Sequence, residues 1–299
     1  MSLDAVMQGK TLPTKELSQL LMDEVKKRHA RLHHPFYADL FEGKLPIEAV
    51  RIWAKEAWGI FACNVAINTA KLVRCQMSGI HDPEIHKKFV DIIHSEVGYS
   101  YFEGSPRAVL GHRALFLRFG DAIGVPAQEL ERCETEEDFL PTTVLARVGW
   151  MDIALRSNHI LEQVAATNCC NEYSNHLTGG KFFRAFKDHY GLKPHDIEFF
   201  AEHGEADTEH SNIGFDLVEQ FATTNELQTR VVKAQRKGFG IWWAITDGVA
   251  RECGRLKNWS DGCSLPNGYL WNIFRRTISS AGLLIINICS IRRFGLISY

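Results

Sequence analysis

Apolar residues recur three and four positions apart over most of this 299-residue chain, and this is the period of an amphipathic α-helix. Leu17, Leu21 and Val25, for example, form one apolar stripe within residues 14–31. No stretch alternates between apolar and polar residues in the way that predicts a β-hairpin. The sequence therefore predicts an all-α fold.

Proline, aspartate and glycine mark the predicted helix boundaries. Asp82 and Pro83 predict the start of one helix, and Gly98 predicts its end. Gly124 and Gly191 predict the ends of two later helices. We expect seven or eight helices, joined mostly by short loops, in one bundle over about 14–255.

The character of the sequence changes after Cys253, where a turn-rich stretch leads into apolar and basic residues. We therefore divide the chain into a helical domain, 1–255, and an appended C-terminal tail, 256–299. The apolar run at 281–291 covers about 11 residues, whereas a membrane-spanning helix needs roughly 20. Membrane contact is not expected.

Composition argues against several classes of function. The 34 basic and 36 acidic residues give a net charge of −2, and no basic stripe indicates nucleic-acid binding. The eight cysteines form no C-x-x-C pair, which argues against a zinc ribbon or a thioredoxin-like site. Scattered thiols and an N-terminus without signal-peptide features favour a cytoplasmic protein.

The segment FFAEHGEADTEHS carries the most functional information. Its residues His203, Asp207 and His210 are spaced four and three, so they span only about 60° of a helix surface. The neighbouring acidic residues lie on other faces of the helix, where they can be solvated: Glu202, Glu205 and Glu209. Two imidazoles and one carboxylate on one face form half of a divalent-metal site, and the absence of thiolate suits iron or manganese and, less distinctively, zinc. A polar helix face with ordinary histidines explains the same pattern, so both interpretations stay open.

A metal site inside a helical bundle draws its ligands from several helices. Glu96 and Glu172 are carboxylates on apolar helical stretches, and His112 begins another predicted helix. Each also has a purely structural interpretation: an ion pair with arginine for Glu172, a helix-end surface residue for Glu96, and a cap for His112. The pattern alone does not choose between them.

Taken together, these segments resemble the haem-oxygenase-like diiron oxidases and oxygenases. The resemblance extends from about His33 to Glu252. It is carried by the blocks HPFYADLFEGKLPIEAVRIWAKEAW, FVDIIHSEVG, HRALFLRFGDAIGV, FKDHYGL and FFAEHGEADTEH. The opening helices also resemble those of pyrroloquinoline-quinone synthase and thiaminase II. The resemblance implies a haem-oxygenase-like helical bundle.

The resemblance also implies a set of metal ligands. Transferred residue by residue, these are Glu96, His112, Glu172, His203, Asp207 and His210. The segment between Glu96 and His112 is longer than the family usually shows, so Glu103 competes for the role of first carboxylate. We favour Glu96 because of its E-x-G context and the helix before it. The implied cofactors are two Fe(II) ions per chain, with O2 as co-substrate.

The implied function is that of a non-haem diiron oxygenase or oxidase of secondary metabolism that oxidises a small amino-acid or fatty-acid-like substrate. N-oxygenation, hydroxylation and oxidative C–C cleavage are the candidate outcomes. Two alternatives stay open: a cofactor-free oxidase or hydrolase of the pyrroloquinoline-quinone synthase or thiaminase II type, and a metal-binding or redox-partner protein without turnover. We expect a homodimer, and an external electron donor is a candidate partner. Four basic residues are candidates either for binding a substrate carboxylate or for ordinary surface charges: Arg107, Arg113, Arg118 and Lys181.

Overall fold

The computed structural model describes residues 2–99, 109–132 and 138–254, without the side chains of Tyr99, Val109, Arg132 and residues 205–209. Within these ranges there are fourteen α-helices. In chain order they are α1 (Leu3–Met7), α2 (Thr14–Arg28), α3 (Ala30–His33), α4 (Pro35–Phe41), α5 (Ile47–Phe61), α6 (Asn64–Met77), α7 (Pro83–Val97), α8 (His112–Ile123), α9 (Ala127–Arg132), α10 (Pro141–Arg156), α11 (Ile160–Ala166), α12 (Tyr173–Asp188), α13 (Glu198–Phe221) and α14 (Asn225–Glu252). The predicted tail, 256–299, and Glu103 lie outside the described residues.

The all-α prediction is confirmed, with one addition. A minimal antiparallel pair joins β1 (Gly98–Tyr99) to β2 (Val109–Leu110), with Gly98 opposite Leu110. The sequence showed no hairpin signal because each strand has only two residues, which is too short for alternation to be seen. This pair connects α7 to α8, the two helices that carry Glu96 and His112.

Capping residues bound the helices largely as the sequence predicts. The Asp82 side chain accepts a hydrogen bond from the Glu84 N–H at 2.9 Å, and Pro83 occupies the first helical position of α7. Gly98 has a φ of 73° and ends that helix, while Gly124 is left-handed at φ 84° and ends α8. These residues fix the ends of the two helices that lead into the site.

The sequence predicts too few helices because a short break between two helices does not interrupt the spacing of apolar residues. The apolar spacing predicts one long helix over residues 45–75. In the structure the helix is interrupted at Ala62 and Cys63, between α5 and α6. Conversely, the predicted helix ending at Gly191 is not separate. It is the second half of α12, which follows α11 through a buried π-helical segment, Thr167–Glu172.

The bundle is built around α13 and α14. Helix α12 packs along α13, whereas α10 and α11 pack along α14. Gly179 and Gly204 allow α12 and α13 to approach closely, because a Cβ placed on Gly179 would lie 2.8 Å from the Gly204 Cα. In the described part of the chain, no helix is both long and apolar enough to span a membrane.

Candidate metal centre

Five of the six predicted ligands line one cavity between the helices. They are Glu96 from α7, His112 from α8, Glu172 from the π-helical segment, and His203 and His210 from α13. Asp207 lies between the two histidines on α13, but its side chain is outside the described set. The structure thus brings together residues that are up to 114 positions apart in the sequence.

His203 is held in one orientation by its own helix. Its Nδ1 donates to the Phe199 carbonyl at 2.7 Å, and since a carbonyl only accepts, the proton must be on Nδ1. Burial, reinforced by nearby His112, lowers the pKa of His203 well below its usual value. A neutral imidazole with its Nε2 lone pair uncommitted is the form that binds metal.

The Glu96 carboxylate lies between α6 and α8. Its Oε1 accepts from the amide nitrogens of Asn64 and Asn68, each at 3.3 Å. Its Oε2 is 3.6 Å from His112 Nδ1, and the His112 ring is centred 4.2 Å from the His203 ring. Glu96, His112 and His203 therefore lie in a row of neighbours, with His112 between the other two, where α7, α8 and α13 converge.

Glu202 is a neighbour that sequence reasoning assigned to a solvated face of the helix. Its carboxylate lies 3.7 Å from His112 Nε2 and is only about one-third exposed. Burial raises the pKa of Glu202, and the His112 charge opposes that effect. Proximity to His112 makes Glu202 a further carboxylate at the edge of the centre.

The π-helical segment delivers Glu172 to the cavity. All six of its residues are buried, and π-helical turns inside α-helices occur frequently at functional sites. Two glycines make room for the wider turn. A Cβ on Gly214 of α13 would lie 2.6 Å from the Asn168 Cβ, and one on Gly238 of α14 would lie 2.9 Å from the Ala166 carbonyl oxygen. The segment is therefore closely held by both neighbouring helices.

Both oxygens of Glu172 have hydrogen-bond donors. Asn168 Nδ2 donates to Oε2 at 2.6 Å and also to the His210 carbonyl at 2.8 Å, so it joins the π-helical segment to α13. Lys71 Nζ donates to Oε1 at 3.3 Å. Unlike Glu172, the two cysteines of the segment are not candidate metal ligands, because burial raises the pKa of the Cys169 and Cys170 thiols. They remain protonated, whereas metal binding requires thiolate.

A buried arginine supports the segment from behind. Arg31 donates to Asn171 Oδ1 and to Ser174 Oγ, each at 2.7 Å. Its guanidinium lies 3.9 Å from the centre of the Trp242 ring, a distance typical of a cation–π contact. Arg31 thus links the wall of the cavity to α14. This role could not be predicted from the sequence, because Arg31 lies far upstream of the residues that it contacts.

In chemical type, the lining side chains fit non-haem iron. They supply imidazole nitrogen and carboxylate oxygen, the donors that such iron takes in bundle proteins. Among the described side chains, no group of three or more His, Cys, Asp or Glu residues is arranged so that it could hold a metal ion. Glu96 and Glu172 are instead hydrogen-bonded to amides, and Glu172 Oε1 also accepts from the Lys71 ammonium, which an ion bound at that oxygen would have to replace.

Comparison with known proteins decides the family. The family model for iron-containing redox enzymes matches residues 55–243, well over half of the chain. The chain belongs to this family. The match includes Glu96, His112, Glu172, His203, Asp207 and His210.

Relatives of this family member include named biosynthetic enzymes. It is 28% identical to 4-aminobenzoate synthase of Nitrosomonas europaea over 247 residues, covering 80% of this chain and 92% of the relative. It is 22% identical to pyrroloquinoline-quinone synthase of Pseudomonas aeruginosa, covering 79% of this chain and 86% of that enzyme. Both relatives support the assignment of the chain to a family of enzymes.

The fold also matches a solved structure. A TenA homolog from Pseudomonas syringae pv. tomato superposes with a TM-score of 0.64 at 14% identity, over 81% of this chain and 98% of that one. At this identity the likeness shows the fold alone. The resemblance to a haem-oxygenase-like bundle is thereby confirmed, whereas the individual metal ligands stay a prediction.

Three of the four basic residues proposed as carboxylate-binding groups do not line the cavity, and the fourth, Arg107, lies outside the described residues. Arg118 pairs with Glu198, and the Arg113 guanidinium lies 4.8 Å from the Trp58 ring centre. Lys181 is exposed near Phe41 on the outer side of α12. Lys71, on α6, is a basic residue that does line the cavity.

Sequence reasoning also missed the asparagines of the cavity wall. Asn64, Asn68 and Lys71 lie four and three residues apart on α6, so they form one polar stripe along that helix. The residues next to them in the sequence are mostly apolar. That stripe has the same spacing as the predicted ligands His203, Asp207 and His210 on α13. The spacing is visible in the sequence, but asparagine is not a residue type that by itself indicates a metal site.

Asn168→Ala should weaken metal binding without unfolding the protein. The change leaves Glu172 without its 2.6 Å donor and separates the π-helical segment from the His210 carbonyl. Loss of such an outer-sphere partner typically lowers metal affinity about 10–100-fold. Mn(II) titration of the chelator-stripped variant measures the effect. Asn158→Ala, on an exposed turn, is the control, and equal affinity in both variants would contradict the role given to Asn168.

Proposed function

We propose that this protein is a non-haem diiron enzyme that activates O2 to oxidise a small polar, amino-acid-like substrate. The observation that carries the proposal is the convergence of Glu96, His112, Glu172, His203 and His210 on one cavity, in a member of an iron-containing redox enzyme family. Asp207, which the sequence spacing predicts to be on the same helix face as His203 and His210, completes the proposed ligand set. The expected homodimer, external electron donor and cytoplasmic location stay predictions.

In this proposal the protein supplies ligands, orientation and shelter from water. When bound, the iron ions would supply the electrons for the reduction of O2. His203 provides a neutral donor nitrogen whose direction is set by its bond to Phe199. Glu96 and Glu172 balance positive charge and are kept in place by Asn64, Asn68 and Asn168. Glu202 lies near His112 and can accept or hold a proton there, since burial raises its pKa.

The cavity wall favours an amino-acid-like substrate over a fatty-acid-like one. Among the described residues that line it are four asparagines and Thr167, against Ile67 and Trp150 as large apolar side chains. A polar substrate can form hydrogen bonds with this lining. An alkyl chain would leave buried polar groups unpaired, at a cost of about 1–3 kcal/mol each.

The names of the relatives agree with a polar substrate. One is named for the synthesis of 4-aminobenzoate and the other for that of pyrroloquinoline-quinone, and both named products carry polar groups on a compact ring system. Neither name is transferred to this chain as an activity.

A cofactor-free oxidase is the second candidate, and one observation favours it. The carboxylates of Glu96 and Glu172 already have amide and ammonium donors, which is a self-sufficient arrangement without metal. Metal content separates the two functions. A cofactor-free enzyme would consume O2 or turn over its substrate after complete removal of metal, whereas the proposed diiron enzyme would not.

The deciding experiment combines metal analysis with O2 uptake. Protein reconstituted anaerobically with Fe(II) should retain close to two irons per chain after gel filtration. Iron-loaded protein is then screened for substrate-dependent O2 consumption over amino acids and fatty acids, with chelator-stripped protein as the control. We expect uptake with amino-acid-like compounds only. A folded protein that retains no iron would contradict the diiron proposal.

Comparison of Glu96→Ala with Glu103→Ala tests the choice of first carboxylate. Glu96 lines the cavity and its Oε2 is 3.6 Å from His112, whereas Glu103 lies outside the described residues. We expect Glu96→Ala to lose iron and Glu103→Ala to retain it, as measured by metal analysis after anaerobic loading. The reverse pattern would move the first carboxylate into the connection between α7 and α8.

A further inference from the structure

Lys71 is a fully buried lysine inside the proposed metal centre. Its side chain has 0% exposure, and it lines the same cavity as the predicted ligands. Its hydrogen-bond partner among the described residues is Glu172 Oε1, at 3.3 Å. Lysine is almost never fully buried unless it is paired, because its ammonium loses hydration that only an anion can replace. The ion pair with Glu172 therefore stabilises the buried position of Lys71.

Glu172 depends equally on Lys71. Its other oxygen accepts from Asn168, which is neutral, so Lys71 supplies the positive charge that offsets this carboxylate. A metal ion bound to Glu172 would supply the same charge at the same atom. The ammonium and the ion would then compete for one carboxylate, and mutual repulsion would oppose their binding there together.

We propose that Lys71 is a tethered cation that takes the place of a metal ion at Glu172 in the metal-free protein and must be displaced when that ion binds. This inference rests on the proposed diiron centre and adds a function for a residue that is not a ligand. Glu96 differs from Glu172 in this respect, because its two donors, Asn64 and Asn68, are neutral amides. The two ions should therefore bind with unequal affinity, the weaker at Glu172.

The substitution Lys71→Met tests the competition directly, with metal binding rather than activity as the readout. Lys71→Gln is the second variant, since it removes the charge but retains an N–H donor for Glu172 if the methionine variant is unstable. Lys87→Met, on the exposed side of α7, is the matched control. Each chelator-stripped protein is titrated with Mn(II), and free Mn(II) is followed by its electron paramagnetic resonance signal. Thermal unfolding is recorded with and without saturating Mn(II).

Both Lys71 variants should bind the second Mn(II) more tightly than the wild type, by roughly 10–100-fold, the range expected for losing a charge-assisted hydrogen bond from the competing state. The metal-free Lys71→Met protein should unfold at a lower temperature than the wild type, and saturating Mn(II) should remove that difference. Lys87→Met should match the wild type in both measurements.

The possible failures are distinguishable. If the wild type binds two Mn(II) ions and the Lys71 variants bind them equally or more weakly, Lys71 is not a competitor and the inference is overturned, while the metal centre stands. If none of the proteins binds Mn(II), the metal centre itself is overturned and the role of Lys71 with it.

Discussion

His203→Ala should abolish iron retention and O2 consumption while leaving the helix content nearly unchanged. His203 is buried on α13, and its Nδ1 bond to Phe199 directs Nε2 away from its own backbone. Loss of an outer-sphere partner lowers metal affinity up to about 100-fold, so loss of a ligand should cost at least that much. Alanine is a better helix former than histidine, so α13 itself should persist.

Metal analysis after anaerobic loading, O2 uptake and circular dichroism together test this expectation. His94→Ala is the control, because His94 is an exposed histidine on α7, two residues before Glu96. The control should retain iron. If His203→Ala retained iron and turnover, α13 would have no part in the metal centre. Asp207→Ala should behave like His203→Ala. Loss of iron in that variant would support Asp207, whose side chain lies outside the described set, as a metal ligand.

Gly179→Ala should destabilise the protein and disturb the metal centre from a distance. The added Cβ would lie 2.8 Å from both the Cα and the N of Gly204 and 3.1 Å from the Phe200 carbonyl oxygen. All three are backbone atoms, so relief requires α12 and α13 to separate. Overpacking of this kind costs about 1–3 kcal/mol in the free energy of unfolding. Gly204 directly follows His203, so the shift should also weaken metal binding.

The neighbouring substitution Gly180→Ala is a matched control. No atom lies within 4 Å of a Cβ added to Gly180, which is exposed on the same helix. Replacing glycine by alanine inside a helix stabilises it by up to about 1 kcal/mol. Chemical denaturation should therefore shift the two variants in opposite directions. Equal stability of the two would mean that the close approach of α12 and α13 is not maintained in solution.

The helical bundle could be predicted from the sequence because its signals are local. Apolar spacing identifies the helices, and residues such as Asp82, Pro83 and Gly124 mark their ends. The π-helical segment could not be predicted, since a wider turn between two helices changes the hydrogen-bond partner of each N–H and leaves the composition unaltered. It depends on space that Gly214 and Gly238 provide from elsewhere in the chain.

For the candidate site, the sequence predicted the residue types that recur in metal centres, and the structure brings five of the six into one cavity. What surrounds them was not predicted. Lys71, Asn168 and Arg31 act through contacts with residues on other helices, and no spacing within one helix records such a contact. Glu202 was assigned to solvent because helix periodicity places residues on faces but does not reveal which neighbours cover each face.

The π-helical segment has a consequence for how homologous chains can differ in length. A π turn holds one residue more than an α turn, so deletion of one residue between Thr167 and Glu172 would restore an unbroken α-helix. The extra residue is accommodated within the wider turn, so its loss would leave α12 in nearly the same rotational phase relative to α11. Helix α12 could then keep its packing on α13, and α11 its packing on α14. A family member with a one-residue gap at this point in an alignment should therefore keep the helical bundle and differ only in how the residue corresponding to Glu172 is presented to the cavity.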